Sequence, residues 1–131
     1  MPQRLFSGEP HFVQNDVKEW ITGNKVVIFS KFFCRYCSKA KELLHDIEPK
    51  PKIIETTTLG ADKELVLEIL EHDTNQKTLP NIFVGGVHIG GLKDLEDQIR
   101  TGELKKRFDD IQVKNGDLKK KLDSLTLKHK F

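Results

Sequence analysis

The fold of this chain is decided by one stretch of sequence, residues 25–37: Lys25-Val26-Val27-Ile28-Phe29-Ser30-Lys31-Phe32-Phe33-Cys34-Arg35-Tyr36-Cys37. An apolar run typical of a buried strand passes here into a helix-like stretch, and the two cysteines of the chain lie at the junction. A Cys-x-x-Cys at such a junction is typical of thiol–disulfide exchange, because one sulfur can attack a disulfide and the other can displace it. Unpaired N–H groups and partial positive charge at the helix N-terminus favour the thiolate.

Length and composition exclude several classes of protein. The chain has 131 residues, of which 37% are hydrophobic and 32% charged, so we expect one compact domain. No apolar run reaches the length of a membrane span, and the first residues lack the apolar core of a secretory signal. Two cysteines in one short motif do not make a disulfide framework. We therefore expect a reducing, cytoplasmic compartment and no membrane partner.

Charge divides the chain into a domain and an appendage. Residues 104–131 contain nine Lys or Arg and four Asp or Glu, a net charge of +5, whereas the chain as a whole carries +2. We predict a flexible leader at 1–9, a domain at 10–108 and a basic, partly helical extension at 109–131. We expect no nucleic-acid partner, because no aromatic-rich surface accompanies the basic residues.

Apolar spacing predicts eight elements in the order α-β-α-β-α-β-β-α. The first two strands, near residues 25–30 and 52–57, are joined by a helix and should be parallel. Gly85-Gly86 separates two apolar runs and predicts an antiparallel hairpin. Asp62 is a candidate cap for the third helix. This order predicts an α/β chain with a thioredoxin-like fold, a four-stranded mixed sheet flanked by helices.

The extension allows two interpretations. Apolar residues from Leu104 to Leu125 recur at heptad spacing, which is typical of a short coiled coil. Alternatively, Asn115-Gly116 forms a turn and Asp117 caps a separate short helix over 118–126. We favour the second interpretation.

Three motifs occur in order along the chain: Cys34-Arg35-Tyr36-Cys37, Thr78-Leu79-Pro80-Asn81-Ile82-Phe83-Val84-Gly85-Gly86 and Gly90-Gly91-Leu92-Lys93-Asp94-Leu95. Together they resemble the glutaredoxin family of the dithiol type, and the likeness runs from about Asn15 to Phe108. The resemblance implies a glutathione-dependent thiol–disulfide oxidoreductase that reduces glutathione–protein mixed disulfides and protein disulfides. Cys34 would be the nucleophile, Cys37 the resolving thiol and glutathione the reductant.

The same resemblance implies a set of glutathione contacts: Lys31, Tyr36, Lys77, Leu79, Pro80, Gly91, Lys93 and Asp94. A cis Pro80 would present the backbone of Leu79 to the cysteinyl part of glutathione. Lys31 and Lys77 would meet its glycine carboxylate, and the helix start at residues 91–94 would meet its γ-glutamyl end. Considered alone, Lys31 is also consistent with a solvated lysine and Tyr36 with a packing residue, but we favour the glutathione contacts.

Two residues depart from the family pattern. Lys93 stands where a small polar or acidic residue is usual, and Arg35 replaces the proline common in dithiol members. Dithiol members without that proline sometimes hold a [2Fe-2S] cluster between two protomers, which leaves an alternative function open: an iron–sulfur carrier or redox sensor with Cys34 as a cluster ligand. We expect no other metal site. We expect a monomer, and a dimer only with a cluster bound.

Overall fold

The computed structural model describes residues 10–111. Five helices and four strands follow the predicted order, with one helix added at the end. The helices are α1 (Pro10–Thr22), α2 (Arg35–Ile47), α3 (Lys63–Thr74), α4 (Leu92–Thr101) and α5 (103–111). The strands are β1 (Val26–Ser30), β2 (Lys52–Glu55), β3 (Asn81–Val84) and β4 (Val87–Gly90), and a 3₁₀ segment, Thr56–Asp62, lies between β2 and α3.

The four strands form one mixed sheet in the order β2-β1-β3-β4. β1 pairs in parallel with β2, whereas β1 with β3 and β3 with β4 are antiparallel. Gly85 and Gly86 both have positive φ, of 60° and 80°, as a tight hairpin turn requires. The predicted thioredoxin-like fold, a four-stranded mixed sheet flanked by helices, is therefore confirmed.

β1 is buried on both of its faces. Val27 and Phe29 point into a core shared with α1 and α3, and Val26 and Ile28 point into a second core shared with α2, α4 and α5. Successive side chains of a strand face opposite sides of the sheet, so a strand covered on both sides reads as a continuous apolar run. Residues 26–29 show that pattern.

The added helix, α5, packs as part of the domain. Gly102, with a φ of 83°, ends α4 in the left-handed conformation, and the chain turns at once into α5. Leu104 is 1% exposed and belongs to the core beside α2, and Phe108 and Ile111 pack against the same core. α5 crosses the boundary predicted at residue 108, which places 109–111 with the domain rather than with the extension.

The prediction that the Asp62 side chain caps α3 is wrong. Asp62 does precede α3, but it has helical backbone angles and its side chain makes no capping hydrogen bond. The side chain is instead 3% exposed, within the fold. An N-cap residue normally has extended backbone angles, and the 3₁₀ segment that runs into α3 prevents them here.

Parts of the sequence interpretation lie outside the described residues. These are the leader at 1–9, the turn at Asn115-Gly116, the helix over 118–126 and the alternative coiled coil. Of the helices between residues 10 and 111, none has the length and apolar character that a bilayer crossing needs.

The packing of α5 predicts the effect of truncating its buried leucine. Leu104→Ala should lower the free energy of unfolding by about 2–5 kcal/mol, because it leaves a cavity between α5 and the core. Denaturant unfolding measures the change. The exposed neighbour supplies the control, and Lys105→Ala should change stability by less than ~0.5 kcal/mol. Equal effects of the two variants would show that α5 does not contribute to the core.

Candidate active site

Cys34 occupies the N-cap position of α2. Its backbone is extended, with φ −109° and ψ 112°, and its Sγ accepts a hydrogen bond of 3.2 Å from the backbone N–H of Cys37. Its carbonyl accepts the N–H of Ser38 at 3.0 Å. The side chain is partly exposed. The Cys34 sulfur therefore lies at the partly exposed start of α2, where a disulfide can reach it.

Cys37 lies one turn further into α2 and is fully buried. Burial raises the pKa of the Cys37 thiol, and so does its hydrogen bond with the Cys34 side chain. Hydrogen bonds from the Lys31 backbone and the Ser30 side chain act in the opposite direction. The two thiols therefore differ in access, and the raised pKa of Cys37 holds that thiol in the protonated form.

Two threonines after β2 hold the loop that carries Cys34. The buried hydroxyl of Thr56 donates to the Ser30 carbonyl at 2.9 Å, and the Thr57 hydroxyl accepts the N–H of Phe32 at 3.0 Å. The parallel pairing of β1 and β2 brings the ends of both strands to the same edge of the sheet. The sequence analysis missed both threonines, although their place directly after a strand predicted to be parallel to β1 was a usable signal.

An open groove lies beside the Cys34 loop. It contains every residue that the sequence analysis assigned to glutathione: Lys31, Tyr36, Lys77, Leu79, Pro80, Gly91, Lys93 and Asp94. Neither sulfur lines the groove, but Lys31 and Tyr36 come from either side of Cys34 in the chain, so the groove begins beside the exposed thiol. The fold thus brings the eight residues together, while their individual roles stay predictions.

The loop before β3 forms one wall of the groove. Its Leu79–Pro80 peptide bond is cis, as predicted. The Gln76 side chain donates from Nε2 to the carbonyls of Thr78 and Pro80, both at 3.0 Å. The sequence analysis missed Gln76. Its amide bridges the two carbonyls that flank Leu79 and so fixes the backbone on which a bound peptide would align.

A buried polar chain supports Gln76 from the sheet side. Asn81, which is fully buried, accepts a hydrogen bond of 2.8 Å from His88 Nε2 and donates to the Thr74 hydroxyl at 3.4 Å. That hydroxyl accepts the N–H of Gln76 at 3.2 Å. Burial lowers the pKa of His88, against the opposing effect of the Asp94 carboxylate, and the neutral ring keeps a donor at Nε2 for Asn81.

The far end of the groove is the N-terminus of α4. The Gly91 N–H donates to Asp94 Oδ2 at 3.0 Å, a cap that uses one of the two carboxylate oxygens. A side chain at Gly90 would collide with that carboxylate, and its φ of 124° also favours glycine. Helix N–H groups and one carboxylate thus lie together, a pairing suited to a ligand with both an anionic and a cationic group.

Lys77 already has a partner. Its Nζ lies 3.7 Å from Glu64 Oε2, and both side chains are well exposed. An exposed pair of this kind contributes little stability, so an incoming carboxylate can displace Glu64. Within residues 10–111, no group of three or more His, Cys, Asp or Glu side chains is close enough to hold a metal ion.

Comparison with known proteins gives a consistent result. Residues 26–89 match the family model described as glutaredoxin. The chain is 41% identical over 92 residues to monothiol glutaredoxin-S10 of Oryza sativa subsp. japonica, covering 70% of this chain and 56% of the relative. It is 40% identical over 96 residues to glutaredoxin-1 of Rhizophagus irregularis, covering 72% of this chain and 92% of the relative.

Solved structures give the same match. A buckwheat glutaredoxin–glutathione complex superposes with a TM-score of 0.71 at 30% identity, over 77% of this chain and 91% of that one. The chain spans about half the length of several curated relatives, including 52% of chloroplastic monothiol glutaredoxin-S12 of Arabidopsis thaliana. The rice relative is called monothiol, whereas this chain has both cysteines.

Proposed function

Because this chain belongs to the glutaredoxin family of thiol–disulfide oxidoreductases, we propose that it reduces glutathione–protein mixed disulfides with glutathione as the reductant. The observation that carries the proposal is the Cys34 thiol, which is partly exposed at the N-cap of α2 and lies beside the groove. The glutathione bound in the buckwheat relative supports the same ligand here. We also propose a cytoplasmic location, because two cysteines in one exchange motif do not make the disulfide framework typical of secreted domains.

The reaction is an exchange of disulfide bonds. The Cys34 thiolate attacks the glutathionyl sulfur of the mixed disulfide, a Cys34–glutathione bond forms, and the substrate sulfur leaves as a thiolate that takes up a proton. A second glutathione thiolate then attacks the sulfur of the bound glutathione. Oxidised glutathione leaves, and Cys34 returns as a thiolate. The substrate is reduced, and one free glutathione is consumed, because its sulfur joins the glutathionyl group of the substrate in oxidised glutathione.

Cys37 acts on protein disulfides. After Cys34 has formed a mixed disulfide with a protein, the Cys37 sulfur attacks Cys34, a Cys34–Cys37 disulfide forms, and the proton of Cys37 goes to the substrate sulfur that leaves. Two glutathione molecules then reduce the Cys34–Cys37 disulfide and leave as oxidised glutathione. The raised pKa of Cys37 keeps it protonated until that step, so Cys34 attacks first. The hydrogen bond from the Cys37 N–H to Cys34 Sγ keeps the two residues close together throughout.

The groove suits glutathione in three places. Lys31 and Lys77 offer cations for the glycine carboxylate, and the Leu79 backbone, held by Gln76, offers peptide groups to the cysteinyl residue. The γ-glutamyl end meets the N-terminus of α4, where N–H groups suit its carboxylate and Asp94 suits its ammonium group. Gly91 and Lys93 belong to the same helix start as Asp94, and Tyr36 lines the groove.

Substitution of each cysteine tests the division of roles. Cys34→Ser should abolish turnover of a small glutathione mixed disulfide, because it removes the nucleophile. Cys37→Ser should keep that turnover at the same order of magnitude and lose reduction of an intramolecular protein disulfide. A coupled assay of glutathione oxidation measures both. Equal loss in the two variants would contradict the assignment of Cys34 as the sole attacking thiol.

Gln76 should matter as a positioning residue. Gln76→Glu removes the amide donor and places an acceptor against two carbonyls, so KM for the mixed disulfide should rise roughly three- to tenfold, since a lost hydrogen bond costs about 1 kcal/mol. The alkylation rate of Cys34 should not change.

The matched control is Gln98→Glu. Gln98 uses only its oxygen, which accepts from Arg107 Nε at 2.9 Å, and glutamate preserves that contact. This variant should leave KM unchanged. A similar rise in KM for both variants would indicate a general effect of added negative charge.

A carrier of an iron–sulfur cluster is a second candidate function. The residue that motivates it is Arg35, which occupies the first position of α2 and keeps a backbone N–H that proline would lack. The described residues offer one partly exposed cysteine, so Cys34 would hold the cluster with glutathione thiols and a second protomer. Anaerobic reconstitution with iron, sulfide and glutathione should then give a coloured dimer, and Arg35→Pro should remain colourless. A colourless monomer from the unchanged protein would exclude the carrier function.

A further inference from the structure

Two phenylalanines next to Cys34 expose their rings to solvent. Phe32 is 47% exposed and Phe33 is fully exposed, and the two rings contact each other edge to face with centroids 6.3 Å apart. Exposed aromatic rings beside a reactive thiol form an apolar contact surface, and large exposed apolar groups of this kind mark interaction sites. We call Phe32 and Phe33 the aromatic rim.

The backbone at the rim is strained. Phe33 has a φ of 56°, in the left-handed region that a bulky side chain rarely adopts. The conformation costs free energy, and the Phe33 ring recovers none of it by packing in the core, because it is fully exposed. Strain that persists at an exposed residue beside a reactive group points to a role outside folding.

The surface around the rim is cationic. Residues 31–41 contain three lysines, one arginine and no acidic residue. Lys41 is paired with Glu55 at 2.7 Å, whereas Lys31, Arg35 and Lys39 are exposed and make no ion pair with another residue of 10–111. Arg35 and Lys39 are one helical turn apart on α2 and so share a face. The N-terminus of α2 adds its own partial positive charge.

We propose that the aromatic rim, with Arg35 and Lys39, is a docking surface for an extended acidic segment of a protein substrate, one that carries a glutathionylated cysteine between acidic residues. This inference rests on the proposed function, because the thiol at the centre of the surface must meet the mixed disulfide. The groove holds the glutathione half, and the rim holds the polypeptide half. Apolar groups of the segment cover Phe33, and its acidic residues pair with Arg35 and Lys39.

Access to Cys34 favours a peptide over a lipid surface as the partner. An anionic membrane would also attract cations and aromatic rings, but a bilayer lying on the rim would cover Cys34 and the entrance of the groove. A narrow extended segment instead delivers its own disulfide to the thiol. Vesicle binding therefore separates the two classes of partner.

The test compares two peptides of equal length with a central glutathionylated cysteine, one flanked by glutamates and one by lysines. The full chain should turn over the acidic peptide with a kcat/KM roughly tenfold higher, and added salt should reduce the difference. The mixed disulfide of free cysteine and glutathione (cysteinyl-glutathione) has no flanking segment, and its turnover gives the reference activity.

Two variants locate the effect. Phe33→Asn should lower kcat/KM for the acidic peptide about five- to tenfold, as truncation of an aromatic anchor does, and leave cysteinyl-glutathione turnover unchanged. Asparagine tolerates positive φ, so the unfolding midpoint should not fall. Lys39→Gln should lower activity on the acidic peptide about two- to threefold.

Controls use the same substitutions elsewhere. Val87→Asn changes another exposed apolar residue. Lys52→Gln removes an exposed charge at the start of β2, the end of that strand that lies away from the Cys34 loop. Neither should alter the preference for the acidic peptide. An equal effect of Lys52→Gln and Lys39→Gln would mean that net charge alone attracts the peptide, which overturns the docking surface.

Other outcomes are equally decisive. Equal turnover of the two peptides, or no effect of Phe33→Asn, would refute the docking surface while leaving the proposed function intact. Binding to vesicles of phosphatidylserine that is lost in Phe33→Asn, without a preference between peptides, would assign the rim to membranes instead. Absence of cysteinyl-glutathione turnover would reject the proposed function itself.

Discussion

Burial of β1 on both faces is the constraint on which the rest of the structure depends. All five residues of Val26–Ser30 are buried, and alternate side chains enter two separate cores. A shift of one residue would exchange the two sets of side chains between cores of different shape, so the register of β1 is strongly specified. The position of Cys34 follows directly, because only a short loop separates the end of β1 from the start of α2.

Around that fixed thiol, the site is built largely from backbone groups held by small polar side chains. Thr56 and Thr57 hold the loop before Cys34, and Gln76 holds the carbonyls on both sides of Leu79. Backbone groups present the same donors and acceptors whatever side chain they carry. The positions of the Cys34 loop and of the Leu79 backbone are thus set largely by these contacts, whereas exposed side chains such as Lys31 and Lys77 supply charge to the groove.

Much of this was predictable because the signals are local. The β3–β4 hairpin follows from Gly85-Gly86 between two apolar runs, and the α2 start follows from the cysteine motif. The gathering of the eight groove residues followed from the family resemblance together with a fold that brings these loops to one edge of the sheet. α5 was not predicted as a separate helix, because the spacing of Leu104, Phe108 and Ile111 is the same in a coiled coil and in a short core-facing helix.

Contacts between distant segments were not predictable. Phe32 and Thr57 are 25 residues apart, and although the parallel pairing of the strands that precede them predicts that they lie at one edge of the sheet, it does not predict the hydrogen bond between them. Gln76 was missed for a different reason: a glutamine in a loop is usually solvated, and only the path of the backbone reveals that two carbonyls converge on its amide. Asp62 had a typical capping residue type, but the 3₁₀ segment before it determined its backbone angles.

The ion pair between Lys77 and Glu64 has a consequence for how the groove responds to ionic strength. If a ligand carboxylate reaches Lys77 as proposed, it replaces Glu64, so one cation–carboxylate contact is exchanged for another. Salt weakens both contacts to a similar extent, so the effects of salt on the exchange largely cancel. The contribution of Lys77 to the affinity for such a ligand should therefore depend only weakly on salt concentration.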